Sequence, residues 1–377
     1  MKIDESNPTP KYLQLKEIIK QYFESEQYKP GQKIPSENEL ITQFNVSRNT
    51  VRQALSELVN EGFIYKKHGS GSFFSGKTQD ETTQSFLIGV ITSFISYYIY
   101  PPIIQGIDDV AHKKHYNIVL GSSRGDQEKE LICLEQLLQK DIDGLLIEPA
   151  GGFQDIRESK VLALLKDITI PVMFINWVID DPDVSFVSIN DREGGFTATE
   201  YLIAAGHQRI ACIYPNDHVP GIQRHLGYRK ALEQFHIPYD PQLDKGGTIF
   251  RWNEAEYIGR LVKELLMLGD KKPTAMFFFN DSAALQGGYQ AIREFGLKIP
   301  QDISVVGFDD SELAAVADVP LTSVSHPKYQ IGRWAAEILF EDITSRGPKP
   351  PTKQMVINPI LVERDSVRFL NMPDEND

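Results

Sequence analysis

The segment Ser47-Arg48-Asn49-Thr50-Val51-Arg52-Gln53-Ala54-Leu55-Ser56-Glu57-Leu58-Val59 places Val51, Ala54, Leu55, Leu58 and Val59 on one helical face. Ser47 is positioned to cap that helix, and Arg48, Asn49, Arg52 and Gln53 are left facing outward. The residues just before it, Phe44-Asn45-Val46, read as a turn. Before the turn, Pro35-Ser36-Glu37-Asn38-Glu39 starts a shorter helix, with Ser36 as N-cap and Glu39 as its capping-box partner. Further back, Tyr12, Leu15, Ile18, Ile19, Tyr22 and Phe23 recur at helical spacing until Lys29-Pro30-Gly31 stops them. After Gly62, Phe63 to His68 reads as a strand, Gly69-Ser70-Gly71 as a tight turn and Ser72-Phe73-Phe74 as the returning strand.

Two helices joined by a short turn, with polar donors at the start of the second, have the geometry that enters a DNA major groove amino end first. Arg48 and Arg52 lie one turn apart and suit a guanine edge or flanking phosphates, while Ser47 and Thr50 offer hydroxyls and a helix N-terminus to a phosphate. Taken alone, two arginines on an exposed face read first as an ordinary solvated surface. The larger pattern tips the balance: Tyr12-x-Gln14-x-Lys16, Gly31 to Leu40, Val46 to Leu55, Leu58-x-x-Glu61-Gly62 and His68-Gly69-x-Gly71-x-Phe73 resemble the winged helix-turn-helix of the GntR family of bacterial regulators. The resemblance covers nearly all of 8–75. It implies DNA contact by Lys11, Ser36, Asn38, Ser47, Arg48, Asn49, Thr50 and Arg52, with His68 and Gly69 in the wing at the minor groove. One departure is Asn38, where many members carry Arg, so a phosphate or base contact from that helix is expected to be weaker or altered.

Charge divides the chain in the same place. Its 377 residues carry −13 overall, yet residues 1–77 hold 11 Lys and Arg against 9 Asp and Glu, a net +2 that leaves −15 on the rest. Residues 76–85 (GKTQDETTQS) have no large apolar side chain and read as a linker between a head, 1–75, and a body, 86–377.

In the body, short apolar runs alternate with helical stretches: Leu87 to Thr92, Ile118 to Leu120, Gly144 to Ile147, Val172 to Ile175, Val184 to Ile189, Ile210 to Ile213, Ala275 to Phe279 and Ile303 to Gly307. Such runs are parallel strands buried on both faces, an α/β architecture in which ligands sit beyond the carboxyl ends of the strands. The residues just there are polar: Thr92 and Ser93, Ser122 to Arg124, Glu148, Asn176, Asn190 and Asp191, Asn280 and Asp281, Asp309 and Asp310. Any one of them singly reads better as a helix N-cap; seven strand ends together describe the lining of a polar cleft. For Asn190 and Asp191, capping the following helix and binding a ligand weigh equally.

Composition and motifs exclude several classes. With 41% hydrophobic and 24% charged residues the chain is neither disordered nor low in complexity, and no apolar run is long enough to span a membrane. The opening residues MKIDESNPTPKY lack a basic patch and apolar stretch, so a cytoplasmic protein is expected. Cys133 and Cys212 stand singly in apolar segments and read as small core residues, which gives no metal site and no cofactor. There is no phosphate loop, GxSxG or HExxH; Gly151-Gly152 and Gly287-Gly288 are too isolated to cradle phosphate, and the adjacent carboxylates Asp309-Asp310 do not face one another across a substrate atom. The cleft is built to hold a ligand, and no enzyme is expected.

The body also resembles a family. Ile88-Gly89-Val90, Asp143 to Leu146, Gly194-Gly195, Gly206-His207-x-Arg209-Ile210, Arg224-x-x-Gly227-Tyr228, Phe279-Asn280-Asp281-x-x-Ala284, Ile303 to Asp310 and Leu321-Thr322-Ser323-Val324 are similar to the effector domain of LacI/GalR regulators. What this implies is a two-lobed, periplasmic-binding-protein-like domain with parallel sheets and three crossovers, its lobes at about 86–189 plus 325–350 and 190–324 plus 351–370. Implied ligand groups are Tyr97 or Tyr98, Glu148, Asn176, Asp191, Arg224, Asn280, Asp309 and, from the last crossover, His326; Arg224 pairing with Asp309 as structure is the alternative for those two. A GntR-type head on a LacI-type body resembles the arabinose-utilisation repressors of Gram-positive bacteria. That resemblance implies a homodimer bound to a double-stranded, two-fold operator and released by a monosaccharide, L-arabinose ahead of others. The alternatives are a ligand-activated regulator, another sugar or a nucleobase as effector, a transporter-feeding sugar-binding protein, and a sugar-converting enzyme.

Overall fold

The computed structural model describes residues 9–25, 28–60, 63–67, 71–75, 84–151, 160–179, 181–345 and 350–370. The chain divides into two compact units, Met1–Thr83 and Gln84–Asp377.

In the first unit, α1 (Lys11–Ser25), α2 (Glu37–Phe44) and α3 (Arg48–Asn60) precede an antiparallel hairpin of β1 (Ile64–Lys67) and β2 (Gly71–Phe74), paired from Ile64 with Phe74 to Lys67 with Gly71. The capping box is present: Glu39 N donates to Ser36 Oγ at 3.4 Å, and Ser36 N donates to Glu39 Oε2 at 2.6 Å. Asn45 ends α2 in the left-handed conformation (φ 51°), which Asn tolerates better than most residues. Ser47 Oγ then accepts from Thr50 N at 3.1 Å, starting α3. Leu15, Ile19, Phe23, Leu40, Val51, Ala54, Leu55, Leu58, Phe63 and Phe74 form the core; each such large side chain, fully buried, contributes about 1.5–3 kcal/mol. The segment before α2 also pairs with the hairpin, Ile34 N donating to Ser72 O at 3.0 Å and Phe74 N to Gln32 O at 2.8 Å.

The second unit contains two six-stranded sheets. The first, in the order β13-β7-β6-β5-β3-β4, is wholly parallel and comprises β3 (Leu87–Thr92), β4 (Asn117–Ser122), β5 (Gly144–Ile147), β6 (Val172–Ile175), β7 (Phe186–Ile189) and β13 (Gln354–Ile357). The other, in the order β14-β12-β11-β10-β8-β9, comprises β8 (Ile210–Pro215), β9 (Asp244–Gly247), β10 (Ala275–Phe278), β11 (Ser304–Asp309), β12 (Thr322–Ser325) and β14 (Leu361–Val362). It is parallel except where β14 runs against β12. The α/β class with parallel sheets is thus the observed one. Every residue of β5, β7, β10 and β11 is buried, as strands covered by helices on both faces require.

Three features differ from the sequence reading. The segment 351–370 does not belong wholly to the second lobe: Gln354–Ile357 pairs with β7 and completes the first sheet, and the chain crosses back only for β14. This edge strand buries no residue fully, and its apolar run is only Met355 to Ile357. Strand β9, Asp-Lys-Gly-Gly, has no apolar residue at all; beside its pairing with β8, Asp244 is fastened by His225 Nε2 at 2.7 Å and by the Tyr239 hydroxyl. Ser85 and Phe86, at the edge of the expected linker, are tied to the body through their amides, which donate to the Asp143 carboxylate at 3.0 and 2.9 Å. Residues 76–83 of that linker lie outside the described residues. Both cysteines are free, Cys212 buried and Cys133 half-buried.

Candidate functional sites: a recognition helix and an interlobe cleft

In the first unit, Arg48, Asn49, Arg52 and Gln53 are exposed on α3, while Val51, Ala54 and Leu55 are buried beneath them. Helix α2 holds both arginines: Arg48 Nη2 donates to Asn38 Oδ1 at 3.0 Å, and Arg52 Nε lies 4.0 Å from Glu37 Oε1. Ser47 and Thr50 share a hydrogen bond at 2.8 Å in the first turn of α3. Ser36 is committed to the capping box, and Lys11 opens α1 with an exposed side chain. His68 and Gly69 lie outside the described residues. On the hairpin, Tyr65 stacks on Phe73 with ring centroids 5.7 Å apart, and Lys67 lies over both rings, a basic and aromatic surface that the sequence reading passed over.

In the second unit, strand ends of both sheets meet. From the first sheet, Glu148 follows β5 and accepts from Ser93 N and Asn176 Nδ2, each at 2.8 Å. Burial raises its carboxyl above the usual range, and those donors oppose the shift. Asn176, after β6, adopts positive φ (64°). From the other sheet come Asn280 after β10 and Asp309 at the end of β11, and the helix Val219–Gln234 supplies Arg224. Arg224 Nε donates to Asp191 Oδ1 at 2.7 Å and Nη1 to Phe279 O at 2.5 Å; Nη1 also lies 3.5 Å from Asp309 Oδ1. Its guanidinium sits 3.5 Å from the Phe308 ring centroid and 4.5 Å from that of Phe279.

The helices that carry Asp191 and Arg224 are fixed by close approach. A Cβ on Gly195 would stand 1.9 Å from Arg224 O, and one on Gly227 2.0 Å from Arg192 O, so only glycine lets Asp191–Ala204 and Val219–Gln234 touch this closely. Asn190 is the cap of the first of these, its Oδ1 accepting from Glu193 N at 3.1 Å. Asp191, one residue on, holds Arg224 instead, and burial raises its carboxyl to about 6 despite the guanidinium beside it.

Around Arg224 the structure gathers His326, which the resemblance implied, and also groups for which the sequence offered no signal. His218 lies edge-on to Trp177 and Phe279 (6.2 and 5.8 Å), and Trp252 edge-on to Phe279 (5.8 Å). Lys328 Nζ donates to the carbonyls of Asp309, of Asp310 at 3.4 Å and of His326 at 3.2 Å, holding two consecutive residues at positive φ (99° and 47°). Burial lowers the His218 imidazole to about 3, and it holds His326 well below its usual value, with Lys328 adding to the effect; both rings are neutral. Asn176 Oδ1, His218 Nδ1, Trp252 Nε1 and His326 Nδ1 are buried without a protein partner. By contrast His207, singled out with Gly206 and Arg209, is structural: its ring bonds Thr274 Oγ1 at 3.0 Å and Ser304 Oγ at 2.9 Å.

Comparison with known proteins assigns both units. Residues 11–74 match the bacterial regulatory proteins of the gntR family, and residues 199–367 match the periplasmic binding protein-like domain. An arabinose metabolism transcriptional repressor of Geobacillus stearothermophilus is 36% identical over 360 residues, 95% of this chain and 98% of that one. The chain belongs to this family of transcriptional repressors. Among solved structures, a transcriptional regulator CelR–cellobiose complex superposes with TM-score 0.65 at 25% identity, covering 85% of this chain and 91% of that one. The lac repressor dimer bound to operator and the anti-inducer ONPF gives 0.64 at 26% identity over 76% and 95%. As a member of the family the chain is a DNA-binding regulator and not an enzyme. Among the described residues no helix is long and apolar enough to cross a membrane.

Proposed function

We propose that this repressor acts in the cytoplasm as a homodimer on a two-fold operator of carbohydrate-utilisation genes, and that a monosaccharide, L-arabinose first, releases it. In this reading α3 enters the major groove with Arg48, Asn49, Thr50 and Arg52, Ser47 and Lys11 serve phosphates, and the wing residues His68 and Gly69 reach the minor groove. Glu148 and Asn176 from one lobe, and Arg224, Asn280 and Asp309 from the other, bind sugar hydroxyls, with Tyr97, Tyr98 and His326 bounding the site.

The observation that carries the reading is the cleft's chemistry. Buried polar groups need partners, and four unpartnered ones lie close to carboxylates, a guanidinium and aromatic rings. A sugar supplies hydroxyls that both donate and accept, together with a C–H face that suits Trp252 or Phe279. The choice of L-arabinose follows the name of the Geobacillus relative. A sugar can release the operator only to the extent that it binds the released state better than the DNA-bound one. Calorimetry and operator-binding assays with L-arabinose, other pentoses, hexoses and nucleobases test this. L-arabinose is expected to give heat and to lower operator affinity. Binding of a hexose or nucleobase alone would overturn the choice of sugar, and ligand-dependent tightening on the operator would overturn release.

A further inference from the structure

The loop after β3 bridges the two lobes through two neighbouring hydroxyls. Tyr98 donates its phenolic hydrogen to Asp309 Oδ2, and Asn280 Nδ2 donates to Tyr97 Oη at 2.9 Å. The two rings lie 4.8 Å apart, so one side of the cleft presents an adjacent pair of hydroxyls, one donating to a carboxylate and one accepting from a carboxamide. Vicinal hydroxyls of a sugar offer the same pairing. The remaining capacity of both groups is also in use: Asn280 Oδ1 accepts from Ala283 N at 3.0 Å, and Asp309 Oδ1 faces Arg224 Nη1 at 3.5 Å. Trp177, from the same lobe as the tyrosines, meets His218 of the other lobe edge-on, a second bridge across the cleft.

We propose that Tyr97 and Tyr98 form an internal latch, a built-in hydroxyl pair that joins the lobes and that the effector must displace from Asn280 and Asp309. This rests on reading the cleft as the sugar site. The latch sets the sugar concentration at which the repressor responds, because the apparent dissociation constant equals the intrinsic one divided by the fraction of molecules whose site is available. It also makes the tyrosines oppose sugar binding, where an ordinary ligand contact would favour it, and the sign of one mutational effect separates the two.

The test uses Tyr98→Phe and the Tyr97→Phe/Tyr98→Phe double variant of the full chain, which keep the rings and remove the hydroxyls; the single variant keeps the test open if the double one does not fold. Calorimetry with L-arabinose is expected to show binding roughly tenfold tighter than wild type, the gain from releasing a competing hydrogen bond to a carboxylate. Equal or weaker binding overturns the latch. Small-angle scattering without sugar gives a second readout that needs no ligand: the variants are expected to have a larger radius of gyration than wild type, and an unchanged radius overturns the latch. If wild type binds no sugar at all, the sugar reading fails and scattering alone decides the latch.

Discussion

Arg48 Nη2 donates to Asn38 Oδ1 at 3.0 Å, so the second residue of α2 aims the first arginine of α3. An arginine at position 38, as many GntR-type heads carry, would set two guanidinium groups side by side. On the proposed reading of α3 as the DNA-contacting helix, Asn38 orients Arg48 in place of a cationic contact of its own. Because an exposed hydrogen bond is worth about 0.5–1.5 kcal/mol, Asn38→Ala is expected to weaken operator binding several-fold without lowering the thermal midpoint. Fluorescence anisotropy on a labelled operator measures it, and unaltered affinity would remove Asn38 from the recognition apparatus.

Arg52 is more exposed, its side chain retaining 68% of its accessible surface, and the 4.0 Å approach to Glu37 orients it only loosely. Arg52→Ala should cost about 1–3 kcal/mol of operator affinity if the guanidinium reads a base pair. Sugar affinity and folding should be untouched, since the buried face of α3 is carried by Val51 and Leu55. Normal operator affinity in this variant would refute the recognition-helix assignment.

Gly195→Ala tests the helix contact that positions Arg224. The added methyl would stand 1.9 Å from Arg224 O, and backbone cannot yield as the end of a flexible side chain can. The helices must separate, with an expected loss of about 2–3 kcal/mol and a lowered thermal midpoint. Weaker sugar binding should accompany it because Arg224 moves with its helix; a variant with wild-type stability would show that the two helices have slack.

Asp281 makes stability depend on pH. Its carboxylate accepts from Ser311 N and Ser323 Oγ, both at 2.6 Å, and burial, with Asp309 adding to it, raises the carboxyl from 3.8 to about 7. A carboxyl raised in the folded state binds its proton more tightly there than in the unfolded chain. Its contribution is therefore complete below about 4 and is lost as pH rises through about 7. Asp281→Asn keeps an acceptor for Ser311 N and removes the titration. The wild-type stability relative to this variant should fall between pH 4 and 7, by at most about 1.4 kcal/mol per pH unit. Parallel stability profiles for the two proteins would contradict the buried-acid assignment.

What the sequence made legible was whatever depends on local spacing. Ser36 and Glu39 announce a cap because three residues separate them, and Ala275 to Phe278 announces a buried strand because its run is unbroken. The approach of Glu148 to Asn176 and of Asn280 to Asp309 was legible too, since parallel strands bring their carboxyl ends to one side of a sheet, and the resemblance to LacI/GalR effector domains implied that the two sheets share one cleft. Of the pairings within the cleft, Arg224 with Asp309 was anticipated as the structural alternative; the others were not, because they join residues far apart in sequence: Tyr98 and Asp309 are separated by 211 positions and Arg224 and Asp191 by 33. Lys328 escaped notice for a related reason. It binds carbonyl oxygens, and no side-chain motif encodes a backbone partner. The edge strand β9 carries no apolar run because a strand with one open side needs none, whereas β13 offers only the short run Met355 to Ile357.

Arg224 is the group on which ligand response should depend most. It is buried and joins Asp191, the carbonyl of Phe279 and Asp309, and it packs against Phe308, so it connects two strand ends and a helix around one point of the cleft. Removing it leaves two buried carboxyls without their cation, and breaking a buried pair in this way costs about 3–5 kcal/mol. Part of that is relieved by protonation, because the Asp191 carboxyl already sits at about 6 and both acids would rise further. The unit carrying α3 is compact by itself, so operator binding is expected to survive. Arg224→Ala should therefore hold its operator with wild-type affinity and fail to release it at L-arabinose concentrations that fully release wild type, a repressor that no longer responds. Arg224→Lys keeps the charge but loses the two-sided fork, and is expected to respond only at much higher sugar. Anisotropy titrations of the preformed complex with sugar decide the matter. If Arg224→Ala releases its operator at wild-type sugar concentrations, the effector site lies elsewhere in the chain.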